Sequence, residues 1–115
     1  MVEIERLSEF ERDLKSLTKK YKTLPDDLDV LEKVLKVRPD SNPPFSYRID
    51  GLGIESCVIK VKKIASRSFK GRGVNSGLRL VYAYFQAEKR IVYIEIYHKN
   101  DKELEDRARI KAHFK

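Results

Sequence analysis

Tryptophan is absent from this chain and cysteine occurs once, at Cys57. A single cysteine excludes a disulfide framework and a cysteine metal site, and the lone thiol is expected to act as a small buried hydrophobe. Long apolar runs are missing too. Leu80 to Tyr84 is among the longest, far short of the ~18 to 20 residues that a membrane span requires. The opening MVEIERL has neither the basic start nor the apolar stretch of a signal peptide, so the cytoplasm is the expected compartment and no membrane is expected as a partner. The most informative absence is of acid. No Asp or Glu occurs between Glu55 and Glu88, whereas Lys60, Lys62, Lys63, Arg67, Lys70, Arg72 and Arg79 all fall there.

What is present fits one domain over residues 1–115. A hydrophobic share of 41% beside 37% charged residues is that of a globular chain, long enough for one modest core. Through Glu55 there are 10 Lys/Arg against 12 Asp/Glu; from Ser56 onward there are 15 against 6. A solvated face normally mixes signs, so a one-sign stretch of this length implies an anionic partner. Nucleic acid leads and an acidic protein is second.

The periodicity changes along the chain. Val2 to Arg6 alternates apolar and charged, as a short strand does. Ser8-Glu9-Phe10-Glu11 fits a capping box, and Leu7, Phe10, Leu14, Leu17 and Tyr21 follow as one helical stripe. Pro25 suits the first turn of a second helix, with Asp26, Asp27 and Asp29 at the positive end of its dipole. Leu24, Leu28, Leu31 and Leu35 give the second stripe, and Arg38-Pro39 ends it. Residues 39 to 53, PDSNPPFSYRIDGLG, read as a long loop. Period two then takes over in Ser56 to Ile64, Leu78 to Phe85 and Ile91 to His98. Ala87 to Arg90 is short enough to make the last two an antiparallel hairpin, and Asn100 to Glu103 suits the start of a final helix reaching about His113. The expected class is α+β: an N-terminal strand and a helical hairpin packed on a small antiparallel sheet, in the order β-α-α-β-β-β-α.

SFKGRGVNSGLRLVY, residues 68 to 82, has three glycines among basic residues. A phosphate cradle needs its glycine loop between a strand and a helix. Here Gly71, Gly73 and Gly77 lead into Leu78-Arg79-Leu80-Val81-Tyr82, a strand, and the spacing matches neither dinucleotide nor P-loop pattern. The stretch is a flexible basic loop that ends in an arginine at the mouth of a sheet.

The basic strand around Lys60 and Lys62, the segment SGLRLVYAY and the following IVYIEIYHKNDKE, in this order of elements, resemble the RelE/ParE superfamily of bacterial and archaeal toxins, and its RelE-like branch in particular. The resemblance implies ribosome-dependent cleavage of messenger RNA, restrained by a cognate acidic antitoxin. The chemistry it implies is metal-free and needs no cofactor: an RNA 2′-OH attacks the adjacent phosphorus and leaves a 2′,3′-cyclic phosphate. Such a reaction needs a base, positive charge on the developing phosphorane, and an acid at the 5′-oxygen. On this resemblance Arg79, His98, Lys99 and Lys62 form the catalytic set, with Arg79 clamping a phosphate oxygen and His98 suited to acid or base work. Lys60, Lys63, Arg67, Lys70 and Arg72 would hold RNA, with Tyr82 and Tyr97 stacking on bases. His113 or Phe114 only loosely matches the aromatic or histidine that catalytic members carry near the C-terminus.

Plainer roles stand beside these. Arg79 suits a surface ion pair, Lys60 and Lys62 an ordinary solvent face of a half-buried strand, His98 the edge of a core, and Tyr82 and Tyr97 a core with hydroxyls at its rim. His113 suits an inert terminus. The same fold also serves ParE-like inhibitors of DNA gyrase and would serve a non-catalytic RNA-binding protein.

Overall fold

The computed structural model describes residues 2–114. Strand β1 (Glu3–Arg6) leads into helices α1 (Ser8–Lys20) and α2 (Leu24–Val37). Then come β2 (Ser46–Arg48), β3 (Cys57–Val61), β4 (Leu78–Phe85), β5 (Arg90–His98) and α3 (Arg107–His113). The α+β class and the succession of elements are those expected, with one short strand added. The sheet order is β1-β5-β4-β3-β2. It is mixed: β1 runs parallel to β5, and the remaining pairs are antiparallel.

The helical hairpin forms as its stripes require. Phe10 and Leu14 of α1 and Leu24, Leu28, Leu31 and Leu35 of α2 are buried against Ile59, Val61, Leu80, Tyr82, Ile91 and Tyr93 of the sheet. The capping box does not form. Leu7 is the N-cap and Ser8 lies inside the helix, its hydroxyl turned to the Glu9 carboxylate at 3.2 Å. The cause is tertiary: the Leu7 N–H donates to the Tyr93 carbonyl at 3.0 Å, so sheet pairing carries the chain one residue further and straight into the helix. Pro25 does lie in the first turn of α2.

The segment 39–53 is not all loop. Phe45 accepts hydrogen bonds from the Lys62 and Lys63 N–H groups, and Ser46 to Arg48 pair with Val61 to Ile59. The final helix is shorter than expected. Asp106, not Asn100, caps it, accepting from the Arg109 N–H at 3.0 Å. Residues 100–106 stay irregular because Lys102 and Glu105 are drawn back onto the sheet.

One irregularity sets which residues face where. Tyr82 pairs with Tyr93 while Val81 pairs with Glu95, leaving Ile94 as an extra residue in β5. This β-bulge switches the alternation. Ile91 and Tyr93 face the helical hairpin before it and Ile96 after it, while Ile94 and Tyr97 join Val58, Val81, Ala83 and Ile110 of α3 on the opposite face. Arg109 of α3 donates to the Ile94 carbonyl at 2.8 Å, which ties α3 to the bulged residue.

Candidate functional site

The sheet face away from the hairpin is covered by α3 only at one end. At the other end a cleft of about 250 Å³ is lined by Lys62, Lys63, Asn75, Arg79 and Lys99, with Tyr47, Pro44 and Gly77 at its borders. Four cations and no carboxylate line it. They arrive from three different pieces of backbone. Lys62 and Lys63 follow β3, held by their N–H bonds to Phe45. Arg79 is the second residue of β4, and Lys99 follows β5, where its N–H donates to the Gly77 carbonyl at 2.9 Å.

Arg79 is anchored through one nitrogen. Its Nη1 donates to the Lys62 carbonyl at 3.2 Å and to the Leu78 carbonyl at 3.1 Å. A guanidinium carries five N–H donors in a fixed fork, so the Nε and Nη2 donors are left for a ligand. The Lys63 ammonium donates to Asn75 Oδ1 at 2.9 Å, and the Lys62 ammonium lies 5.1 Å from the centre of the Tyr47 ring. The ion pairs among the described residues are all made by other cations.

His98 is not in the cleft. The bulge turns it to the helical side, where it is 4% exposed and stacks on Phe69 and Tyr21 with ring centres 5.2 and 5.7 Å away. Nε2–H donates to the Ser76 carbonyl at 2.9 Å, and Nδ1 accepts from the Asn100 N–H at 3.1 Å. Both nitrogens are spent on backbone, so the ring has none with which to exchange a proton with a substrate. Its expected acid or base role is therefore corrected to that of a brace. It joins the Ser76-Gly77 turn before Arg79 to the chain around Lys99. Gly77 makes room for this ring: its φ is +89°, and an added Cβ would meet His98 Nε2 at 2.7 Å.

The other sequence candidates separate. Lys60 is on the same face as Arg79, but its ammonium is bound to Glu105 at 2.8 Å, with 13% of its side chain exposed and 2% of that of Glu105. Burial pushes the Glu105 carboxyl up, yet hydrogen bonds from Lys60, backbone and Arg107 outweigh it and hold the group below the carboxylate range. Tyr97 is buried beneath Lys102. Tyr82 is fully buried and donates to the Pro39 carbonyl at 2.6 Å, with its hydroxyl pKa raised chiefly by burial. Neither ring is available for base stacking, and Lys60 is not available for phosphate. Arg67 is exposed and pairs with Asp26 at 3.2 Å. Lys70 and Arg72 are exposed on the glycine loop, where Lys70 faces a hollow beside α2 rather than the cleft. That loop is tied to α2 by Asp27, which accepts from the Ser66 hydroxyl at 2.6 Å. His113 bonds Glu9 of α1 at 2.7 Å, and this contact leads the causes that lower the Glu9 carboxyl to about 2. Phe114 packs on Phe85. Both belong to the seam between α3 and its neighbours.

Sequence reasoning passed over Tyr47 and Asn75. Tyr47 lay in a stretch read as loop, and only the β2–β3 register sets it opposite Lys60, on the face of the cleft. As to metals, both histidines are committed as described, and among the described residues no three His, Cys, Asp or Glu side chains gather as a ligand set.

No protein-family model matches the chain, and no curated protein matches it. Among solved structures, one described as a metal-bound toxin from Helicobacter pylori is similar in fold: TM-score 0.60, 19% sequence identity, with 88% of this chain and 98% of that chain covered. The chain thus shares the fold of a bacterial toxin.

Proposed function

We propose that this protein is a toxin of the RelE-like kind that acts on messenger RNA, with the cleft between β3, β4 and β5 as its RNA-binding and catalytic site. The observation that carries this reading is the Arg79 guanidinium, fastened by Nη1 with its Nε and Nη2 donors unspent, among three lysines with no carboxylate at the lining. A two-pronged cationic edge matches two oxygens of a phosphodiester, and the lysines neutralise the charge that builds on a phosphorane. In the cleavage itself the 2′-OH loses its proton as its oxygen bonds to phosphorus. The P–O5′ bond breaks and the 5′-oxygen takes up a proton, leaving a 2′,3′-cyclic phosphate. With His98 a brace, Lys62 and Lys99 are the cleft groups that remain for the two proton transfers. The fold shared with a toxin supports the biological role, and a cognate antitoxin goes with that role.

The closure of His98 favours a second reading, in which the cleft grips RNA without cutting it. Primer extension on a reporter message in a cell-free translation reaction separates the two. Wild type is expected to leave cuts at discrete codon positions, and Arg79→Lys, which keeps charge but loses the fork, is expected to abolish them. Intact message combined with salt-sensitive RNA binding would assign the cleft to binding alone. Intact message without RNA binding would remove RNA as the target.

A further inference from the structure

Beyond Tyr47 the groove continues into a second hollow of about 260 Å³, which shares Tyr47 and Lys62 with the cationic cleft. The two halves differ in chemistry. In the second, the Lys60 ammonium and the Arg107 guanidinium both close on Glu105, and Arg48 is a further cation of the lining. Asp50 stands at its wall with no ion-pair partner among the described residues, so this hollow, unlike the cleft, offers a free carboxylate acceptor. Leu104, 60% exposed, and the Tyr47 ring, 39% exposed, offer apolar surface on either side. The remaining tyrosines are all buried or half-buried, so Tyr47 is the one presented to solvent.

We propose that the groove is bipartite: Tyr47 and the hollow beyond it receive a nucleobase of the RNA strand whose phosphate Arg79 holds. This rests on the RNA reading of the cleft and adds a specificity element to it. A base is planar, uncharged and bears N–H donors, which suits a ring to stack on, a leucine to cover it and a carboxylate to accept from it. Carboxylates accept from exocyclic amino groups such as cytosine N4. Uracil turns carbonyls outward on both sides of its single N–H. The hollow therefore selects amino-bearing bases over uracil. An acidic peptide, the other polyanion that suits four cations, gains nothing from Asp50.

The test uses the full chain and three dye-labelled tetranucleotides read by fluorescence anisotropy: 2′-O-methyl oligo-C, 2′-O-methyl oligo-U and an abasic backbone of equal charge. Methylation blocks cleavage. Wild type is expected to bind oligo-C about tenfold more tightly than the abasic strand, the scale of one base stacked on an aromatic ring, with oligo-U between them. Tyr47→Leu should bring the three affinities together, Tyr47→Phe should keep them apart, and Arg79→Ala should weaken all three alike. If the three strands bind equally to wild type, or Tyr47→Leu leaves their ratio unchanged, the base site is refuted while the RNA reading stands. If no strand binds, or a polyglutamate peptide binds as well as oligo-C, the RNA reading falls and this inference falls with it.

Discussion

The two ends of one sheet face treat charge in opposite ways. Under α3, Lys60 and Arg107 share Glu105, Lys102 meets Glu95, and Arg109 reaches Asp13 at 2.8 Å. Glu95 and Glu105 are nearly inaccessible. In the cleft, a few residues further along the same strands, four cations face one another with no carboxylate at the lining. Neighbouring cations of like sign raise the energy of the folded chain, so the covered end contributes stability and the open end spends some of it. A basic patch of this kind is held by side chains bonded to backbone and not by ion pairs. The braces are His98 between the Ser76 carbonyl and the Asn100 N–H, and Arg79 on two carbonyls.

The sharpest way to break the comparison is at the covered end. Glu105→Ala strands the Lys60 ammonium with little water, and urea denaturation should read a loss of about 3 kcal/mol, the scale of breaking a buried pair. A loss below about 0.5 kcal/mol would mean that the pair is solvated and the contrast false. The pH dependence carries the same sign. Because the folded Glu105 carboxyl titrates below its ordinary 4.5, its contribution is present above that value and fades as pH falls through the folded one. The stability gap between wild type and Glu105→Ala should therefore narrow below about pH 4.5.

Gly77→Ala attacks the brace. It puts a Cβ where φ is +89° and where His98 Nε2 would be met at 2.7 Å; a left-handed position alone costs roughly 1–2 kcal/mol, and about 2 kcal/mol in all should appear in the same titration. Full stability in this variant would show that the turn is not what fixes the cleft. Cleft lysines should behave otherwise. Lys62→Ala or Lys99→Ala should shift stability by less than about 0.5 kcal/mol. Each should also lower the slope of log affinity against log salt for single-stranded RNA by about 0.7. Lys19→Ala, on α1 and away from the cleft, should leave that slope unchanged. The smallest effect is expected at Arg67, whose charge is already paired with Asp26 in the open. Arg67→Ala should move stability by less than about 0.5 kcal/mol and affinity less than either lysine does.

How much of this was legible in the sequence follows from what period-two alternation can and cannot encode. Helix stripes and strand runs read correctly because burial on one face leaves a periodic trace, as Leu24 to Leu35 and Leu78 to Phe85 show. The acid-free stretch holds three of the four cations of the cleft, and Lys99 lies beyond it. Their partition was hidden. Alternation along β5 puts His98 beside Ile94 and Ile96, and the single bulged residue, Ile94, breaks that parity and turns His98 inward. Nothing in the local sequence marks the bulge, whose carbonyl accepts from Arg109, fifteen positions away. Lys60 and Lys62 look alike in sequence, and only Glu105, arriving from the irregular segment before α3, separates them. Tyr47 and the Asp106 cap were missed for a related reason: both depend on pairings with distant chain.

The parallel contact of β1 with β5 has a consequence in time. Glu3 pairs with Arg90 and Arg6 with Tyr93, so the first strand has no partner until most of the chain exists. Closing so long a loop is slow compared with forming α1, α2 or the β4–β5 hairpin. During synthesis the early helices therefore wait with their leucine stripes uncovered. The core closes only when β5 emerges, within ten residues of Lys99, so the chain becomes compact and acquires its cleft in nearly the same moment.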